Sequence, residues 1–145
     1  MKKLFPVILI AVAIIFIATA CSKSGSSDNV DISVQSLSGT YALKALVWVY
    51  QGETINVYDS LDACEKDNLT TLNTDKTVDY TDAGIVCDPP EDDNGTWDLI
   101  GTDSLYFSGS SNASKIQSFD GKTLVLTGNP DGTTDVQATT TLVKQ

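Results

Sequence analysis

The chain has 145 residues, with nine lysines against 19 acids, no arginine and no histidine, for a formal net charge of −10. Such a balance excludes a phosphate-backbone binder, which needs a basic surface. Lack of histidine removes the usual general base near neutral pH and the commonest metal ligand.

Lys2 and Lys3 precede an uncharged apolar run, Leu4 to Ala18, which ends in Ala18-Thr19-Ala20 before Cys21. A basic start, a short apolar stretch and a small-residue site predict a cleaved export signal over residues 1–20. The competing reading is a permanent membrane span, but the 17 residues from Leu4 to Ala20, which include Pro6, are at the short limit for crossing ~30 Å of hydrocarbon. The Ala18-Thr19-Ala20-Cys21 stretch resembles the bacterial lipobox, with Ala18 where the common pattern has Leu. That resemblance implies diacylglycerol on the Cys21 thiol, and Ser22 at the next position implies transit to the outer membrane. The expected membrane contact is therefore through acyl chains on Cys21. Without Lys2 and Lys3 the formal charge falls from −10 to −12, so anionic headgroups repel the rest of the chain.

Residues 21–36 read as the lipidated cysteine and a flexible Ser/Gly/Asp-rich tether. From Leu37 to the C-terminus the chain suits one core and no more. There the apolar period is two, which predicts strands. Thr40 to Tyr50 is a long first strand, with Tyr41, Leu43, Ala45, Val47 and Val49 on the expected core face and Leu46, Trp48 and Tyr50 opposite. Thr54–Tyr58 is a doubtful return strand, and Leu61–Asn68 holds one helical turn capped by Ser60.

Leu69–Asn73 and Thr77–Thr81 form a hairpin that sets Leu72 against Val78 or Tyr80. The hairpin brings Cys64 and Cys87 opposite one another to within a residue, and in an oxidising compartment a disulfide is the expected state. Two free thiols are the alternative. Pro89 to Asn94 is an acidic loop whose spacing does not fit an EF-hand, and no metal site is expected. Gly95–Ile100 pairs with Ser104–Ser108. Lys115–Phe119 pairs with Lys122–Thr127 around Asp120-Gly121, a type I′ signal. Thr133–Val143 closes the series. Eight strands and one doubtful one with short links predict an all-β fold, a small antiparallel up-and-down β-barrel whose closure removes exposed edges.

In order, Leu37-Ser38-Gly39-Thr40-Tyr41, Cys64-Glu65-Lys66-Asp67-Asn68-Leu69, Cys87, Gly95-Thr96-Trp97-Asp98-Leu99 and Asp103-Ser104-Leu105 resemble the lipocalin-like domain of small bacterial lipoproteins. Resemblance extends over nearly all of residues 37–144 and implies a lipocalin-like barrel. Two departures stand out: Tyr41 replaces the usual tryptophan, and no arginine exists to stack on it at the closed end. The barrel floor is thus expected to be sealed differently or left open.

Tyr41, Leu43, Val47, Trp97, Leu99, Leu105 and Phe107 are the candidate ligand-lining residues, on the inward face of their strands. Set against this, an eight-stranded barrel can be filled by its own side chains, and the filled interior is the favoured expectation. Leu46, Trp48 and Tyr50 line a ligand mouth or a partner surface, or are covered as a second packed layer by a bend of the strand or by the return strand, the covered reading being preferred. No spacing assembles a nucleophile, a base and an orienting group, so no catalytic residues and no cofactor are expected. The expected role is non-catalytic binding of a small apolar ligand or an envelope component. The alternative is a protein-interaction module, such as an inhibitor of an envelope hydrolase, acting through exposed loops.

Overall fold

The computed structural model describes residues 30–130, 132 and 134–145. The expected export signal, Cys21 and the first part of the tether lie outside the described residues. In chain order the elements are α1 (Val34–Leu37), β1 (Gly39–Tyr50), β2 (Glu53–Asn56), α2 (Val57–Ser60), α3 (Ala63–Lys66), β3 (Leu69–Leu72), β4 (Thr77–Thr81), β5 (Asp93–Ile100), β6 (Ser104–Phe107), β7 (Ser114–Phe119), β8 (Thr123–Gly128) and β9 (Val136–Lys144).

Every strand pairing is antiparallel. From β3 to β9 each strand pairs with the next, while β1 bonds to β3 on one side and to β9 on the other. Eight strands therefore close into a barrel. β2 lies outside the ring, paired with the upper half of β1 from Val47 to Tyr50. The seam is weakest between β6 and β7, where only Ser104↔Lys115 and Leu105↔Ser114 are in register.

Alternation decides what fills this ring. Strand residues point to opposite faces in turn, so Leu72, Val78, Trp97, Leu105 and Leu124 meet inside the lower half, where all are 0–1 % exposed. Burying each of these large apolar side chains contributes about 1.5–3 kcal/mol. Trp97 also satisfies its indole N–H, which donates to the Asn73 carbonyl at 3.0 Å.

The lower end is closed by chain that the sequence assigned to the tether. Ser33 caps α1 through a reciprocal pair with Ser36. Leu37 is fully buried, and Ile32 and Val34 pack against the core. The folded body thus starts several residues before Leu37, because these apolar side chains cover the end of the barrel. Fully buried Tyr41 donates its hydroxyl to the Leu37 carbonyl at 2.6 Å. Lys144 sits over both the Tyr41 and Phe119 rings, 5.5 and 5.4 Å from their centroids, and donates to the Ser36 carbonyl at 2.6 Å. A lysine stacked on a tyrosine therefore seals the floor, by a cation–π contact, in a chain that has no arginine. Desolvation pulls the Lys144 ammonium below its ordinary pKa.

Two local expectations change. Gly121 has φ +90° whereas Asp120 has no positive φ. The Asp120 N–H donates to the Thr123 carbonyl, which places Gly121 at the first central position, the type II′ pattern instead of I′. The helical turn in 61–68 is α3, capped by Asp62 in a reciprocal pair with Glu65, not by Ser60, which ends the additional turn α2.

Leu72 pairs with Val78, one of the two registers expected. Cys64 and Cys87 form the disulfide, with Cα atoms 5.3 Å apart. Neither lies in a strand: Cys64 is in α3 and Cys87 in the 82–92 loop, which absorbs the one-residue mismatch. That loop is organised around Asp82, only 8 % exposed, whose carboxylate accepts the N–H groups of Cys87 and Glu91. Asp92 in turn accepts the Asp82 N–H. Part of the acidic run thus bonds to its own backbone, which satisfies buried donors that would otherwise be costly.

Candidate functional site: a half-hollow barrel

A bulge in β1 determines the shape of the interior. Leu43 pairs with Leu142 and Ala45 with Thr141, which leaves Lys44 without a partner on β9. One extra residue reverses the faces of everything beyond it. Leu46 and Trp48, opposite Thr140 and Ala138, consequently turn into the barrel. Val47, opposite Asn56 and Thr139, takes the other face.

Above the packed floor the barrel is hollow. A cavity of about 500 Å³ lies in the upper half, within the range of small-molecule sites. Leu43, Leu46, Trp48, Tyr80, Phe107, Leu126, Ala138 and Leu142 form its walls. Its rim is polar, with Glu65 and Asn68 on one side and Ser110, Ser111, Asn112 and Asn129 on the other. Strand direction explains this polarity. The turns at 73–76, 101–103 and 120–122 are at the sealed end, and the longer links that follow Tyr50, Thr81, Phe107 and Gly128 leave from the other. The short β6–β7 ladder leaves residues 108–113 to form part of the mouth.

Side-chain filling, the favoured expectation, holds only for the lower half. Small and medium residues at Ala138, Thr140 and Gly128 leave the upper half open. The preferred second-layer reading of Leu46 and Trp48 is likewise replaced by the cavity, as the bulge dictates.

The expected lining residues separate into three groups. Leu43 and Phe107 line the cavity. Tyr41, Trp97 and Leu105 are buried in the packed floor beneath it, and partly buried Leu99 packs against that floor. Val47 faces away. Sequence reasoning passed over Leu126, Thr140 and Leu142 as lining, although the shared face of Ala138, Thr140 and Leu142 was legible in the alternation of β9. Tyr80, half-buried at the wall, has its pKa raised by burial and by the nearby Asp93 charge.

Among the described residues no group of three or more His, Cys, Asp or Glu side chains has metal-holding geometry, and no helix is long and apolar enough to cross a membrane. Comparison with known proteins finds no family model that matches this chain and no match among curated sequences. The chain's own geometry must therefore carry the functional reading.

Proposed function

We propose that this protein is a lipid-anchored, lipocalin-like binding protein of the bacterial envelope, holding one small apolar ligand in the upper half of its barrel. The observation that carries the reading is the apolar cavity of about 500 Å³, sealed below and open above. Apolar walls with a few polar groups at one end are the usual design of a small-molecule site. Binding without chemistry fits a lining whose polar groups, among the described residues, are hydroxyls, amides and a single carboxylate. The Cys64–Cys87 disulfide fits an oxidising compartment, in keeping with export and with anchoring of the outer-membrane kind through acyl chains on Cys21. Several acyl chains would hold the protein firmly, at about 0.8 kcal/mol per buried CH₂.

Residues 30–145 contain the whole ring, its floor and its disulfide, so the chain from Ser22 onward retains the complete binding body. Titration of that chain with the neutral fluorescent probe N-phenyl-1-naphthylamine tests the reading. One probe per chain should bind with enhanced emission, and Thr140→Phe, which fills the middle of the cavity, should abolish it while the fold is retained. Absence of saturable binding, or binding indifferent to Thr140→Phe, would refute a cavity-bound ligand.

A further inference from the structure

The charges around the cavity go further than apolarity and select the kind of head group; this step rests on the binding reading above. The chain has no arginine or histidine, and among the described residues no lysine lines the cavity. Lysines placed by specific contacts are committed elsewhere. Lys144 is bound at the sealed floor, Lys76 pairs with Asp98 at 2.7 Å, and Lys66 lies over the Tyr58 ring with its ammonium on the Asp59 carbonyl. An anion entering this cavity would lose water and gain no cation, a costly transfer. It would also approach against a strongly negative chain.

A cation meets the opposite conditions. Among the described residues Glu65 is the sole carboxylate in the lining, and its capping bond from the Asp62 N–H at 2.6 Å holds it in place. A carboxylate has about four acceptor positions, so that one bond leaves room for an ammonium. The rings of Trp48, Tyr80 and Phe107 line the same space, and aromatic faces attract cations. We propose that the ligand is an amphiphilic amine, its apolar body in the cavity and its protonated nitrogen at the rim beside Glu65. A free fatty acid is the ligand class this site disfavours.

The test is displacement of N-phenyl-1-naphthylamine at neutral pH by three compounds of equal chain length: dodecylamine, 1-dodecanol and dodecanoate. Dodecylamine should displace the probe about tenfold more tightly than dodecanol, as expected for one charge-assisted hydrogen bond, with dodecanoate weakest. Glu65→Gln, which keeps an acceptor for the Asp62 N–H, should bring the amine down to the level of the alcohol in the same variant. Asn112→Lys, on the exposed rim, should raise dodecanoate instead. Dodecanoate binding as tightly as the amine, or an amine preference that survives Glu65→Gln, would overturn the inference while leaving the cavity reading intact. Failure of the neutral probe itself to bind would overturn both.

Discussion

Tyr41→Phe probes the sealed floor on which the open upper half depends. The substitution removes one oxygen from a fully buried ring and leaves the Leu37 carbonyl without its 2.6 Å donor. Loss of a hydrogen bond to a buried acceptor costs about 1–2 kcal/mol. For a body of this size that corresponds to a fall in melting temperature of roughly 4–8 °C near neutral pH. The pH dependence is more diagnostic. Burial pushes the Tyr41 hydroxyl far above its ordinary value near 10, and burial with the Asp93 charge raises Tyr80 as well. Above pH ~10 the unfolded tyrosines lose protons that the native ones keep, so their contribution is complete below that pH and is lost as pH climbs toward the native values. Each such group steepens the loss by about 1.4 kcal/mol per pH unit. Lys144, shifted downward, has the opposite sign: the native state holds fewer protons, and its effect ends near the unfolded lysine value of about 10.4. Urea unfolding followed by far-UV circular dichroism from pH 8 to 11 measures the sum. Tyr41→Phe should be less stable at pH 8 yet lose stability more slowly above pH 10. Parallel decline of the two proteins would refute a desolvated, hydrogen-bonded Tyr41.

Other perturbations address the remaining parts of the fold. The double change Cys64→Ala and Cys87→Ala opens a loop with a sequence separation of 23 and should lower stability by ~3 kcal/mol in the chain-entropy model; equal urea midpoints for the oxidised parent and the double variant would count against that linkage. Trp97→Ala should cost about 3–5 kcal/mol, since it leaves a void in the packed floor, and a loss below 1 kcal/mol would mean the floor is not close-packed. Deletion of Lys44 should turn Leu46 and Trp48 outward and shift Trp48 emission to the red, whereas Lys44→Ala should leave emission unchanged. A deletion mutant with the parent's emission would show that the bulge does not set the facing of β1.

The strands were readable because half-buried antiparallel ribbons impose strict alternation, and the turn residues punctuate it at Asn73–Lys76, Gly101–Asp103 and Asp120–Lys122. Leu72↔Val78 is one of the two registers that alternation allowed, and the disulfide was legible from the near-equal spacing of Cys64 and Cys87 about the hairpin turn. The hollow upper half was not readable, because a bulge is a backbone event that leaves the residue pattern of β1 uninterrupted. Its trace was present all the same: both faces of Thr40 to Tyr50 are apolar, as required of a strand that buries Tyr41 and Leu43 before its bulge and Leu46 and Trp48 after it. The floor escaped notice for another reason. Lys144 lies 103 residues from Tyr41 in sequence, and only closure of β1 on β9 brings the two together. Short polar α1 resembled linker because its stability comes from docking Leu37 on the core, not from helix propensity.

The most direct measurement is a set of intermolecular nuclear Overhauser effects between bound N-phenyl-1-naphthylamine and methyl-labelled protein. Contacts should appear at Leu43, Leu46, Leu126 and Leu142, which line the hollow half. Contacts confined to Ile85 and Val86, about 60 % exposed on the outer loop, would place the probe on the surface and contradict a barrel built to hold a ligand.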